Sequence, residues 1–244
     1  MTVDAVIFAG GTGKRMRGAS RPKQFLELGG RPIIAYTLEK FATHPLVDTV
    51  TVVCLESWIS WLDTYLKREF WREKVRIIPG GTTGQDSIIS GVKAAREMHP
   101  SDKEAIVLIH DGVRPLIDRE SITACIESVK ARGCTATTAP CIETIIVEDT
   151  GGHVTNIEDR SRCRLARAPQ GFLTEQIYAM HLKAQEDGLE FIDSISLMSH
   201  YGYQIYTVEG PVENIKVTTP SDYYAFKSFV EMRDQRKLWE NDEQ

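Results

Sequence analysis

Residues 4–8, 49–55, 75–78, 105–109 and 136–140 are short, largely apolar runs, and stretches of helical spacing separate them at 32–41, 57–70, 86–98 and 119–132. A buried strand reads as a continuous apolar run, whereas an amphipathic helix repeats its apolar positions every three to four residues. Strands that alternate with helices pair in parallel, because each crossover helix returns the chain to the same end of the sheet. The expected fold class is therefore α/β, with a mostly parallel sheet covered by helices on both faces. Ligands in such sheets bind beyond the carboxyl ends of the strands. The loops 9–16, 79–87 and 110–115 all follow strands, so they are expected to meet at one rim. After Pro140 the rhythm breaks. Segments 142–147 and 153–157 flank Asp149-Thr150-Gly151-Gly152, a hairpin signal, and this hairpin is expected to project from the domain. Helical patterns return at 174–187 and 193–200, followed by a strand at 204–208 and a last helix at 221–239. The length of 244 residues fits one such domain, residues 1–244, with the hairpin as an insertion at about 141–160.

The first loop reads Ala9-Gly10-Gly11-Thr12-Gly13-Lys14-Arg15-Met16, with Pro22-Lys23-Gln24-Phe25 after it. Its glycines let the backbone turn sharply and approach a ligand, and exposed amides in such a turn bind anions. Lys14, Arg15 and Lys23 add cations suited to a triphosphate. Two familiar phosphate loops are excluded. A Walker loop requires Ser or Thr after the lysine, and here Arg15 follows Lys14; the dinucleotide fingerprint requires a third glycine where Met16 stands.

Other loops carry further chemistry. His110-Asp111-Gly112-Val113-Arg114-Pro115 ends an apolar strand; Asp111 there is suited to a magnesium ion bridging phosphates, or alternatively to an ion pair with Arg114 that shapes the turn. Pro79-Gly80-Gly81-Thr82-Thr83-Gly84-Gln85-Asp86-Ser87 ends another strand, and Ser87 reads more readily as a helix cap than as a nucleotide ligand. In Asn214-Ile215-Lys216-Val217-Thr218 the simplest reading of Lys216 is a solvated cation. Trp58, Trp61, Leu62 and Tyr65 share one helical side and read as core.

Charge and cysteine usage exclude several classes. With 29 Lys and Arg against 34 Asp and Glu, the net charge is −5, so no basic field for nucleic acid exists. No apolar run approaches the length of a membrane span, and no secretory pattern opens the sequence. The five cysteines form no Cys-x-x-Cys pair, and the six histidines lack zinc spacing. A cytoplasmic protein with reduced thiols is expected.

The ordered set Gly-Gly-x-Gly-x-Arg-Met, Pro-Lys-Gln, Gly-Gly…Asp-Ser, His-Asp-x-x-Arg-Pro, Asp-Arg, Pro-Gln and Asn-Ile-Lys-Val-Thr resembles the polyol-phosphate cytidylyltransferases, over residues 4 to about 230. That family includes enzymes acting on 2-C-methyl-D-erythritol 4-phosphate and on ribitol 5-phosphate. The resemblance implies a Rossmann-like three-layer α/β/α nucleotidyltransferase domain with a projecting β-hairpin dimerisation arm. It implies CTP and a polyol phosphate as substrates, Mg²⁺ as cofactor and a homodimer. By it, Ala9, Gly10, Gly11 and Gly13 would touch CTP, and Arg15, Lys23 and Lys216 would be catalytic. Gly80, Gly81 and Ser87 would contact the cytidine, and Asp111 would hold the metal beside the nucleotide. Arg114, Thr144, Asp193 and Thr218 would line the acceptor side, with Arg160 reaching the partner's acceptor site from the arm at 141–160.

The chain departs from the family at Ala168 and Ile192, where hydroxyl-bearing residues are usual. The nucleotide side thus matches and the acceptor side is altered, which leaves open a polyol or sugar phosphate that is neither standard acceptor. The alternatives are another triphosphate as donor, or a catalytically inactive nucleotide-binding protein; the presence of Arg15, Lys23, Asp111 and Lys216 argues for an enzyme.

Overall fold

The computed structural model describes residues 1–11 and 21–242. Strand β1 (Val3–Ala9) leads through the glycine loop to a 3-10 turn at Lys23–Phe25 and a small hairpin of β2 (Glu27–Leu28) and β3 (Arg31–Pro32). The alternating stretch follows as α1 (Ile33–Ala42), β4 (Thr49–Cys54), α2 (Ile59–Leu66), β5 (Val75–Pro79), α3 (Gly84–Met98), β6 (Ile106–Asp111), α4 (Arg119–Arg132) and β7 (Cys134–Pro140). The hairpin consists of β8 (Ile146–Glu148) and β9 (Val154–Ile157). The chain then forms β10 (Arg164–Leu173), α5 (Thr174–Glu186), α6 (Ser194–His200), β11 (Tyr206–Glu209) and α7 (Pro220–Asp242).

The main sheet has seven strands in the order β11-β7-β10-β6-β1-β4-β5. β10 runs antiparallel to both its neighbours, and the remaining pairs are parallel. Alternate residues of each strand feed opposite faces, as the pleat requires. Ala5, Ile7, Val50, Val52, Ile106 and Leu108 pack under α1, α2 and α4, with Leu38, Phe41, Leu66 and Ile126 from those helices. Val6, Val53, Val107 and Ile109 point the other way, onto Val92, Ile177, Leu197 and Met198 of α3, α5 and α6. Each fully buried Ile, Leu or Val contributes roughly 1.5–3 kcal/mol, so the two layers fix the strand ends that carry the loops.

Two sequence expectations change, and one strand stands where none was expected. The helix expected at 57–70 is a 3-10 turn at Glu56–Trp58 followed by the shorter α2. Helix α3 begins at Gly84 with Thr83 as its cap: Thr83 Oγ1 accepts from the Asp86 amide at 3.0 Å, and the Asp86 carboxylate accepts from the Thr83 amide at 3.0 Å. Ser87 is therefore one turn inside the helix rather than its cap. Strand β10 stands in the middle of the sheet, although its Ala-Pro-Gln-Gly stretch has no strand pattern. Pro and Gly weaken strands, yet Phe172 is fully buried there, and pairing with β6 and β7 on either side outweighs the local preference.

Candidate active site

The parallel strands end at one rim, and two adjoining cavities open there. The larger, about 510 Å³, is lined by Ala9, Gly10, Gly11, Lys23, Gly81 and Ser87, among others. The smaller, about 230 Å³, is lined by Arg114, Arg167, Ala168, Gln170, Asp193 and Ser194, among others. Phe8, Ile88, Asp111, Ile192 and Lys216 belong to both. The larger falls within the range of small-molecule sites.

The larger cavity is built by three strand ends. Gln24, 1 % exposed, donates from Nε2 to the carbonyls of Ala9 (2.6 Å) and Gly11 (3.0 Å), which fixes the start of the glycine loop. Phe25 anchors the same segment, fully buried and stacked on Trp58 with ring centroids 4.5 Å apart. The Pro-Lys-Gln-Phe motif thus works through Gln24 and Phe25 as a clamp that carries Lys23 to the cavity. Opposite, the Gly81 amide donates to Ser87 Oγ at 3.1 Å, and Ser87 Oγ donates to the Thr83 carbonyl at 2.9 Å. A side chain at Gly81 would place Cβ 2.3 Å from Asp86 Cβ, so this glycine is required by the close approach of its own helix. Gly13 and Arg15 lie outside the described residues.

Asp111 stands on the shared wall, at the end of β6. Its Oδ2 accepts from Arg114 Nε at 2.8 Å, and its Oδ1 lies 2.7 Å from Lys216 Nζ. Burial alone would raise its carboxyl, but Lys216 and Arg114 together hold it at about 2. The carboxylate is therefore ionised at any working pH. Arg114 also donates from Nη1 to the Asn214 carbonyl at 3.0 Å. The Val217 amide donates to the Val113 carbonyl at 2.9 Å, and Asn214 Nδ2 donates to the Ala168 carbonyl at 3.0 Å. These bonds join the β6, β10 and β11 loops and bring Lys216 across to Asp111. The Asp111–Arg114 pair considered from sequence does exist, but it does more than shape a turn: Asp111 faces both cavities and Arg114 the smaller one. Lys216 is likewise paired, although its side chain stays partly exposed to solvent.

His110 is buried and its imidazole is pushed down to about 4 by that burial, so it is neutral. Its Nε2 lies 3.0 Å from the Arg114 carbonyl, which can only accept; Nε2 therefore carries the proton and supports the turn. The thiols of Cys54, Cys125 and Cys134 are buried and pushed up to about 12, which makes them inert core groups.

The remaining expected residues divide. Asp193 lines the smaller cavity, while its carboxylate caps α6 by accepting from the Ser196 amide at 2.9 Å. Thr218 is held by Asp222, which accepts from its hydroxyl at 2.8 Å, and it lines neither cavity. Thr144 is exposed ahead of β8. Arg160 lies in a 3-10 turn beyond the hairpin, donating to the Ile142 carbonyl at 2.9 Å, and lines a separate cleft with Cys141, Cys163 and Arg164. Within one chain, neither Thr144 nor Arg160 reaches the shared wall. Sequence reasoning had assigned no individual role to Gln24, Gln170 or Asn214, although each lies within a quoted motif, and it passed over Arg167 altogether.

Comparison with known proteins agrees with this geometry. The family model IspD: 2-C-methyl-D-erythritol 4-phosphate cytidylyltransferase matches residues 3–231. A ribitol-5-phosphate cytidylyltransferase of Vibrio parahaemolyticus is 46% identical over 96% of this chain and 98% of its own length. A 2-C-methyl-D-erythritol 4-phosphate cytidylyltransferase of Clostridium acetobutylicum is 33% identical over 93% of this chain and 96% of its own. The crystal structure of 4-diphosphocytidyl-2C-methyl-D-erythritol synthase from Anaerococcus prevotii superposes with a TM-score of 0.81 at 25% identity, covering 94% of this chain and 96% of that one. The chain belongs to the IspD cytidylyltransferase family and is a CTP-dependent nucleotidyltransferase.

Proposed function

We propose that the protein transfers CMP from CTP to ribitol 5-phosphate, giving CDP-ribitol and pyrophosphate. The observation that carries this is the shared wall: Asp111 and Lys216 stand between a cavity lined by the glycine loop and a second cavity lined by arginines. A phosphate oxygen of the acceptor attacks the α-phosphorus of CTP from the smaller cavity, and the bond to the pyrophosphate oxygen breaks. That nucleophile is already ionised at neutral pH, so alignment and charge neutralisation are the main requirements. Lys23 and Lys216 supply positive charge on the donor side, and Arg15 is assigned the same role from the motif.

Mg²⁺ fits the donor set. No cluster of three or more His, Cys, Asp or Glu forms a metal cage among the described residues. Asp111 is a single ionised carboxylate on the cavity wall, and Mg²⁺ is commonly held by one or two carboxylates together with substrate phosphates. Such an ion would neutralise the phosphates of CTP.

Ribitol 5-phosphate is favoured as acceptor by the greater identity to the Vibrio enzyme than to the Clostridium one. A panel of polyol phosphates assayed for CTP-dependent pyrophosphate release tests it. The expected result is the highest kcat/KM with ribitol 5-phosphate; equal or better turnover of 2-C-methyl-D-erythritol 4-phosphate overturns the assignment. UTP and GTP in the same assay test the choice of CTP.

We also propose a homodimer through the hairpin. Ile142, Ile146, Val147, Val154 and Ile157 are all exposed on or beside β8 and β9, a concentration of apolar surface unusual for a free monomer. Pairing of two arms would cover it, and Arg160 would serve the partner's smaller cavity. Sedimentation should give a dimer for the native chain and a monomer for Ile146→Asp/Ile157→Asp; a dimer that survives both changes rules out the arm as the interface. No helix among the described residues is long and apolar enough to cross a membrane. A cytoplasmic location fits the buried, unpaired thiols and is checked by cell fractionation.

A further inference from the structure

Strand β10 is irregular where it passes the site. It pairs with β7 at Ala166–Thr138 and again at Gln170–Ala136, so Arg167, Ala168 and Pro169 stand opposite the single residue Thr137. Bulges of this kind re-aim side chains and concentrate beside active sites. The bulge is held from behind: Asn214 Nδ2 donates to the Ala168 carbonyl, and Gln170 Oε1 accepts from the Ile195 amide at 3.2 Å. Its effect is to present Arg167 to the smaller cavity, beside Arg114 and Lys216.

The three cations differ in one respect. Arg114 and Lys216 are both paired with Asp111. Arg167 has no hydrogen-bond or ion-pair partner among the described residues, and its Nε is buried without a partner. Burial and the neighbouring Arg114 both weaken its hold on its proton. A half-buried guanidinium next to another, with no carboxylate of its own, costs free energy unless an anion is supplied. The cavity mixes charged groups with apolar ones such as Phe8 and Ile109, faces the donor site across Asp111, and is of a size for a small phosphate ester rather than a nucleotide.

We propose that Arg167 is a direct ligand of the acceptor's phosphate group and the residue that sets the preference for a phosphorylated polyol in this chain. The guanidinium fork offers two parallel donors to two phosphate oxygens, and holds the third toward the α-phosphorus on the far side of Asp111. The inference rests on the polyol-phosphate reading above.

Steady-state kinetics of Arg167→Gln and Arg167→Lys test it. Arg167→Gln is expected to raise the acceptor KM roughly 10- to 100-fold, the loss of a charge-assisted pair of hydrogen bonds, and to leave the CTP KM within about twofold by the same argument. Arg167→Lys should recover part of that loss, because it restores the charge but not the fork. In the native enzyme the acceptor KM should rise as pH falls through about 6, where a phosphate ester loses its second charge; in Arg167→Gln that rise should flatten. A role in folding alone would leave the shape of this pH dependence unchanged, and that result overturns the proposal. So does a raised CTP KM with an unchanged acceptor KM, which would place the guanidinium on the nucleotide. If the native protein releases no pyrophosphate with any polyol phosphate, the parent reading fails and this one with it. Native turnover with an acceptor KM unaltered in both variants overturns the Arg167 assignment alone.

Discussion

Asp111→Ala is expected to lower kcat by about 10³-fold, at the upper end of what loss of one preorganised electrostatic group costs. The carboxylate does two things at the wall between the cavities. It is the single carboxylate we assign to Mg²⁺, and it fixes Lys216 at 2.7 Å and Arg114 at 2.8 Å in one arrangement. The alanine variant loses both. Asp111→Asn keeps the shape and can still accept from Arg114, so it separates charge from geometry. If the metal role is right, Asp111→Asn should need far more Mg²⁺ for half-maximal rate. Retention of near-normal turnover in the alanine variant would show that the reaction centre lies elsewhere.

The same residue gives a signed stability effect. Its folded carboxyl is held at about 2, below the ordinary 3.8. A group depressed on folding stabilises the native state above its unfolded value, and the contribution fades as pH falls through the folded value. The Asp111 interaction is therefore fully present at neutral pH and is lost between about pH 4 and pH 2, a contribution of about 2 kcal/mol. Urea unfolding of the native and Asp111→Asn proteins should differ least at the acid end of that window.

The parallel part of the fold was legible because it is written in local pattern. Residues 105–109 are apolar without interruption, and a strand with helices on both faces has no polar side. The three loops at its rim follow from the same rule, and Ala9, Gly10, Gly11, Ser87, Asp111 and Lys216 do line one cavity. What the sequence concealed depends on distant partners. β10 contains Pro169 and Gly171, and only insertion between β6 and β7 makes it a strand. Arg167 could not be placed before that insertion was known, since its direction comes from the bulge. Ser87 was misread for a smaller reason: Thr83 and Asp86 form a reciprocal cap four residues earlier in the same loop, and Ser87 then packs its hydroxyl against Gly81. Arg160 shows a further limit. Its assigned role needs a second chain, so no feature of one chain's cavities can express it.

Lys216→Met should be nearly as damaging as the loss of Asp111, with kcat reduced about 10²- to 10³-fold. Lys216 lines both cavities and is 42% exposed, so its ammonium can leave Asp111 for a substrate phosphate without leaving the site. Its place is set by the Asn214 and Val217 backbone contacts on either side, to Arg114 and Val113, and these do not involve the lysine side chain. Methionine keeps the length of the side chain and removes the charge, so the variant should fold. Interactions realised only as charge moves in the transition state lower kcat more than they raise KM; Lys216→Met should therefore leave both substrate KM values within a few-fold. Asp111 and Lys216 act as a unit, and the double variant Asp111→Asn/Lys216→Met should be scarcely slower than the worse single one. Strict multiplication of the two losses would show that the residues act on separate steps, one on the nucleotide and one on the acceptor, and would divide the shared wall into two independent half-sites.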